Sequence, residues 1–411
     1  MSDLTTTIKL KLYLDNEQKQ LLNTMSEQYR LACNYVSEWI FKNELCLNFK
    51  TVNSVLYQDL RDRFNLKSQM AQSVSKTVIA RYKTVREQLR QNPFKYKDEN
   101  GKTKYIYKTL DWLTKPIYFK RKQVDLVNER DYSFKNDFSL FSLNTLGKRI
   151  EVPFESKHFG EYINNENFKL GTGKIVSVKG KYYFHIPVTF KTNDFDKTKV
   201  NHVIGIDRGL RFLTTTYDEK GKCSFVNGKE IMNKRNHFAH LRKQLQSKGT
   251  KSAKRRLKKL SQRENRYMTN INHVISKTLV DNYGPNTLFV IEDLTGVSFE
   301  ETNLSRSKKQ KHNLRSWSFY QLEQFLIYKA NKIGSEVLKV DASYTSQRCP
   351  KCGTIHKENR HHDIHEYICK NCGYRSNDDR IGAMNLYKLG TDYISGVEKP
   401  KFKVQNIKQL Y

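Results

Sequence analysis

Two C-x-x-C pairs, Cys349-Pro-Lys-Cys352 and Cys369-Lys-Asn-Cys372, are separated by 16 residues, and Gly353 and Gly373 follow them. Each pair makes a tight knuckle in which two thiolates converge, and two knuckles complete a tetrahedron of sulfur around one Zn²⁺. Four protein ligands close the coordination sphere, so such a zinc is structural and offers no open position for catalysis. His356, His361, His362 and His365 lie between the pairs as candidate replacements for a thiolate. Four well-spaced cysteines make them unnecessary, and they read as decoration of a basic hairpin. Cys33, Cys46 and Cys223 are scattered and read as reduced packing residues. The opening Met-Ser-Asp-Leu-Thr-Thr-Thr has no basic region followed by an apolar run, so neither a secretory signal nor disulfides are expected.

Three acids far apart in the chain are the second chemical constellation. Asp207 ends the apolar run from His202, Glu292 ends the run from Thr287, and Asp379 lies in Ser376-Asn377-Asp378-Asp379 at the start of a helical pattern. In open α/β sheets, sites gather beyond the carboxyl ends of strands. Three carboxylates around one point repel one another unless hard cations neutralise them. Two Mg²⁺ ions about 4 Å apart, bridged by an acid, are the usual arrangement for phosphodiester cleavage. One ion activates the attacking water and the other stabilises the leaving 3′ oxygen. Asp293 and Asp378 adjoin two of these acids. Neighbouring strand side chains point to opposite faces, so Glu292 and Asp293 do not easily serve together. The choice between Asp378 and Asp379 stays open at this level.

The third feature is charge. The 411 residues carry 74 Lys plus Arg against 42 Asp plus Glu, a formal charge of +32. Such a surface repels itself unless a polyanion covers it, which excludes an ordinary small-metabolite enzyme and points to a polyanionic partner. With 24 Tyr and 22 Phe the chain is no disordered basic tail. No stretch approaches the roughly 18 consecutive apolar residues of a spanning helix, so no membrane role is expected. From Lys234 to Arg266 there are 13 Lys or Arg and one acid, Glu264. Lys254, Arg255, Arg256, Lys258 and Lys259 crowd two turns, Arg263 follows, and Leu257 and Leu260 anchor one side. That one-signed stripe suits a phosphate backbone. Ser305 to Arg315 is a second basic stretch, read as a lid beside Glu292.

These residues need elements to hold them. Thr6 to Leu14 alternates as a half-buried strand, and Asp15 with Gln18 makes a capping box for a helix carrying Leu22, Met25, Tyr29, Ala32, Val36 and Trp39. A second helix carries Met70 to Leu89 and closes at Asn92-Pro93. From Pro116 to Lys191 the period becomes two: strands are expected at Ile117–Phe119, Phe138–Leu143 and Arg149–Phe154, and a hairpin at 174–178 and 182–190. An antiparallel barrel or sandwich follows, with the N-terminal strand able to join it. From His202 an antiparallel meander leads to one long helical region, Met232 to Asn282. The strand at 287–292, a helix at 319–333 and a strand at 336–340 complete a mixed α/β domain.

Taken together, the motifs resemble the TnpB family, compact RNA-guided nucleases of bacterial insertion sequences related to type V CRISPR effectors. The resemblance rests on Gly205-Ile-Asp-Arg-Gly-Leu, Ile291-Glu-Asp-Leu, Tyr344-Thr-Ser-Gln-Arg-Cys-Pro-Lys-Cys-Gly, and Cys369-Lys-Asn-Cys-Gly-Tyr followed by Asn377-Asp-Asp-Arg-Ile-Gly-Ala-Met-Asn. It implies an α+β multidomain chain: a RuvC-like nuclease domain of the RNase H fold, with the zinc ribbon inserted, preceded by a β-barrel wedge domain carrying a helical recognition lobe. The implied layout is 1–15 as first wedge strand, 16–115 as recognition lobe and 116–192 as wedge, with 193–345, 346–374 and 375–411 as nuclease, ribbon and nuclease end with basic tail. It favours Asp379 over Asp378, because the family's acid precedes the Asn385 position by six. It further implies a Mg²⁺-dependent cut in double-stranded DNA beside a short motif, directed by a guide RNA from the transposon end. No obligatory protein partner is evident, and a cytoplasmic, nucleoid-associated bacterial protein is expected. A nuclease-inactive RNA-guided regulator, a compact type V effector and a strand transferase are the competing readings.

Overall fold

The computed structural model describes residues 2–135, 138–156, 159–163, 168–178, 180–294, 319–361 and 364–403. The chain divides into two compact units, residues 5–191 and residues 1–4 with 192–411. The basic stretch 305–315, His362 and the end of the tail lie outside the described residues.

In the first unit, β1 (Ser2–Leu12) leads to α1 (Asn16–Lys42), and the Asp15–Gln18 capping box forms as expected. Next come α2 (Phe49–Phe64), which the sequence reading lacked, and α3 (Ser68–Gln91). The stripe of α2 is only Val52, Leu56 and Leu60, too sparse to stand out from a polar segment. An exposed hairpin of β2 (Phe94–Lys97) and β3 (Thr103–Ile106) follows. Ile117–Phe119 is not a strand. Pro116 interrupts it, and its backbone is bonded by helix side chains instead: Ser37 Oγ donates to Ile117 O at 2.7 Å, and Phe119 N donates to Asn34 Oδ1 at 2.8 Å.

The remaining strands of this unit are β4 (Val124–Leu126), β5 (Tyr132–Lys135), β6 (Leu140–Asn144) and β7 (Arg149–Glu155). After the short α4 (Phe159–Ile163) come β8 (Lys169–Leu170), β9 (Gly173–Val178) and β10 (Lys181–Thr192). They build one sheet in the order β4-β9-β10-β1-β7-β6-β5, with β8 beside β10, so the N-terminal strand does join across the helices. The sheet curls. Tyr132 of β5 meets Phe184 of β10 at 4.9 Å between ring centroids, although three strands lie between them in the sheet order.

The second unit begins with the meander β11 (His202–Asp207), β12 (Phe212–Tyr217) and β13 (Cys223–Asn227). The single long helix expected next is two, α5 (Lys229–Lys248) and α6 (Lys251–Tyr283). Gly249 takes φ +62°, a left-handed cap open to glycine, and Thr250 Oγ1 caps the new helix by accepting from Ala253 N. Then come β14 (Thr287–Asp293), α7 (Phe319–Lys332) and β15 (Glu336–Asp341). The chain goes on to β16 (Arg360–His361), β17 (Glu366–Ile368), β18 (Arg375–Asn377) and α8 (Asp378–Ile394).

The main sheet of this unit runs β13-β12-β11-β14-β15, and β11–β14 and β14–β15 are parallel. Leu288 to Ile291 are fully buried, as a strand covered on both faces must be. Alternation sorts them: Ile204, Ile206, Phe289 and Ile291 pack on α6 and α7, while Leu288, Val290 and Val340 pack on α8 through Leu386 and Leu389. Each such side chain contributes about 1.5–3 kcal/mol on burial, so the two-faced core holds β11 and β14 side by side.

Candidate functional site

The sheet faces select the acids. Asp207 continues the β11 face of Val203 and Gly205, and Glu292 continues the β14 face of Leu288 and Val290, the face that α8 covers. Since Ile206 pairs with Ile291 in parallel register, the two acids lie next to each other just past the last pair. Asp293 points to the opposite face, where Lys339 Nζ meets it at 3.1 Å. On α8, Asp379 shares the helical stripe of Gly382, Ala383 and Leu386, whose backbone or side chains press on the sheet.

Two glycines allow that approach. A Cβ on Gly205 would fall 2.1 Å from Ala383 O, and one on Gly382 would fall 2.8 Å from Asp207 Oδ2. The N-terminus of α8 is capped by Asn377, whose Oδ1 accepts from Asp379 N and Arg380 N.

The electrostatics follow from this crowding. Burial, then the charges of Glu292 and Asp379, hold the Asp207 carboxyl well above the usual carboxylate range. Burial raises Glu292, against the opposing effects of a hydrogen bond from Thr345 Oγ1 at 2.5 Å and the charge of Arg208. Burial and Asp378 raise Asp379, opposed by Arg360, His365 and Arg211. Asp379 Oδ2 is buried and has no hydrogen-bond partner among the described residues. An orphaned carboxylate oxygen beside two further acids suits a hard cation. The acids are in electrostatic contact without being clustered tightly: among the described residues the acid-containing group whose ligand atoms all lie within 4.8 Å is His365, Asp378 and Asp379.

Several side chains here have contacts that the sequence did not reveal. Asp378, 1% exposed, accepts from Arg360 Nε at 3.0 Å and lies 3.6 Å from His365 Nδ1. Arg360 Nη2 also lies 3.8 Å from Asp379 Oδ1. Thus Asp378 joins α8 to β16 and the turn after it, and His365 is more than decoration. Its backbone is left-handed at φ +55°, and its carbonyl accepts from Asn377 Nδ2 and Asp378 N, both at 3.4 Å. Buried Asn385 donates to Thr345 O at 2.7 Å and Arg348 O at 2.8 Å, holding in place the loop that presents Thr345. Arg208, which follows Asp207 in the chain, is buried.

The four cysteines converge. Their Sγ atoms all lie within 4.8 Å of one another, with Cys349–Cys372 at 3.6 Å and Cys352–Cys369 at 3.5 Å. These spacings are far beyond a disulfide and near the ~3.8 Å edge of a tetrahedron with ~2.3 Å metal–sulfur bonds. Gly353 N donates to Cys349 O and Gly373 N to Cys369 O, each at 2.9 Å, closing the knuckles through glycines at φ +77° and +69°. The cluster is consistent with a structural zinc site. Lys254, Arg255, Arg256, Lys258, Lys259 and Arg263 are exposed on α6, and the lone acid Glu264 is paired with Arg242 of α5.

Comparison with known proteins follows the same division. Residues 185–298, which carry Asp207 and Glu292, match the family model described as "Probable transposase". Residues 319–386, which carry the cysteines and Asp379, match "Cas12f1-like, TNB domain". A TnpB-like protein of Methanocaldococcus jannaschii is 28% identical over 244 residues, 57% of this chain and 84% of that protein. These matches support the TnpB family for this chain. A CRISPR-associated endodeoxyribonuclease Cas12f1 of Syntrophomonas palmitatica is 30% identical over 229 residues, 52% of this chain and 44% of that protein. The chain thus spans about half the length of the first curated relatives it matches. A solved Cas12f1–sgRNA–target DNA complex aligns with 94% of this chain and 99% of its own, at TM-score 0.53 and 11% identity. The likeness is one of fold.

Proposed function

We propose that this chain is an RNA-guided, Mg²⁺-dependent DNA endonuclease of a mobile element, cutting double-stranded DNA beside a short adjacent motif. The observation that carries this reading is the approach of Asp207, Glu292 and Asp379 to one face of the sheet from β11, β14 and α8, with Asp207 destabilised as an anion by burial and by the other two acids. Mg²⁺ held by these acids would supply an activated water and a stabilised leaving oxygen. The chain's own residues do the rest. Thr345 orients the Glu292 carboxylate by its hydrogen bond. Arg360 brings a guanidinium beside Asp379, where it can face a scissile phosphate. The exposed α6 stripe of Lys254, Arg255, Arg256, Lys258, Lys259 and Arg263 holds nucleic-acid backbone. Zn²⁺ on Cys349, Cys352, Cys369 and Cys372 keeps the ribbon folded and takes no part in cleavage.

The order β13-β12-β11-β14-β15 supports reading the second unit as a RuvC-like domain of the RNase H fold with an inserted ribbon. In the first unit, the curled sheet is the proposed wedge and the helices the recognition lobe. Partners are then a guide RNA from the transposon end and target DNA. Bacterial, nucleoid-associated localisation belongs to this proposal. Among the described residues no helix is long and apolar enough to cross a membrane.

The test is purification from the host, sequencing of the RNA that accompanies the protein, and cleavage of matching plasmid DNA in Mg²⁺. A discrete RNA with a variable end, and cleavage lost in Asp207→Asn, are expected. Target binding without any strand break overturns the nuclease and leaves an RNA-guided regulator. The Cas12f1 relative favours one second reading, a compact type V effector, which a repeat array beside the gene would establish.

A further inference from the structure

We propose that Arg208 is a positioning residue that sets the spacing of Asp207 and Glu292, and that Glu323 holds it in place. The inference rests on reading those acids as a metal-binding pair. The ladder between β11 and β14 ends with Ile206 opposite Ile291, while β14 and β15 stay paired to Asp293 opposite Asp341. Both acids therefore lie one residue past the last pair between their strands, where mutual repulsion favours splaying. Arg208 crosses that gap from the opposite face. Its Nη2 donates to the main-chain carbonyl of Glu292 at 2.6 Å, and its Nη1 donates to Glu323 Oε2 at 3.2 Å.

The Arg208 and Glu323 side chains are only 3% and 7% exposed, so this is a fixed tie and not a surface ion pair. Glu323, on α7, also meets Lys339 Nζ of β15 at 3.1 Å, and the same ammonium meets Asp293. The network spans β11, β14, β15 and α7 with two cations and two anions. It lies behind the carboxylates, on the face away from α8, and so cannot touch a substrate phosphate there. A planar fork held at two points fixes a distance in a way that a flexible ammonium does not. Metal sites lose 10–100-fold in affinity when such outer partners are removed.

The experiment uses the full chain with its co-purified RNA and the variants Arg208→Lys, Glu323→Gln and the double variant Arg208→Leu/Glu323→Leu. Mn²⁺ binding is followed by electron paramagnetic resonance, cleavage by Mg²⁺ titration, and folding by thermal melting. Arg208→Lys keeps the buried charge and is expected to melt within about 5 °C of the parent, whereas Glu323→Gln leaves Arg208 buried without its counter-charge and is expected to melt about 6–12 °C lower. Mn²⁺ should bind them about 10–100-fold more weakly, with half-maximal cleavage needing correspondingly more Mg²⁺ and recovering at high concentration. The double variant removes the buried charges together, so it separates stability from positioning: a stable protein with weak metal binding supports the tie. Unchanged metal affinity in variants that merely melt earlier reduces the network to scaffold and overturns the proposal. Asp207→Asn, measured alongside, distinguishes the parent reading: if it too binds Mn²⁺ normally, the acid pair is wrong and the tie falls with it.

Discussion

Adjacent acids with opposite roles are the sharpest prediction at the scale of single residues. Asp379 faces the sheet and has a buried oxygen without a hydrogen-bond partner among the described residues, whereas Asp378 is buried against Arg360. Asp379→Asn is therefore expected to lower cleavage by more than about 100-fold, beyond the loss that even an outer partner causes, with melting little changed. Asp378→Asn is expected to do the reverse. It removes the nearer counter-charge of the half-buried Arg360, which keeps Asp379 at 3.8 Å, and costs about 1.5–3 kcal/mol, while most cleavage remains. Melting curves and plasmid nicking on the two variants decide between them. The identity of the pair was legible in the sequence, but its assignment by spacing alone was not. One helical step of about 100° separates the two side chains, and only contact with the sheet says which one points inward.

Elements meet at glycines, and the two contacts differ in what gives way. At Gly205 a methyl group would strike the backbone of α8, which cannot rotate aside, so Gly205→Ala is expected to cost more than about 3 kcal/mol or to prevent folding of the second unit. At Gly382 the obstacle is the Asp207 carboxyl, which can swing away. Gly382→Ala should fold yet lose cleavage, as melting and nicking assays would reveal. The ribbon makes a parallel case. Its three strands have two or three residues each, too short to stand alone without the thiolate centre. One zinc per chain by elemental analysis is expected, with cleavage lost on chelation as Arg360 leaves Asp379. Full activity after zinc removal would show that Arg360 is held by other means. Elements with a dense apolar period were readable in advance; α2 and the segment around Ile117 were not, because their partners, not their own pattern, stabilise them.

For the whole molecule the governing quantity is the +32 charge. Counterions released when lysines and arginines meet phosphates make affinity fall with salt. Replacing Lys254, Arg255 and Lys258 by glutamine should reduce the slope of log affinity against log salt by up to about 3 for the contacted nucleic acid, uniformly across sequences. An unchanged slope would mark the stripe as a solvated face. Base-specific discrimination should survive, since phosphate contacts carry no sequence information.

Local rules were enough for the knuckle spacing, the capping box at Asp15 and Gln18, the strands that end at Asp207 and Glu292, and the family motifs. Ligand spacing and apolar period are properties of a few consecutive residues. The face on which Asp379 and Glu292 lie, the tie from Arg208 to the Glu292 carbonyl, the reach of Arg360 and His365 to α8, and the break at Gly249-Thr250 were decided by the tertiary structure. Each of these depends on which residue lies opposite another across an interface, and that relation is created only when helices and strands dock.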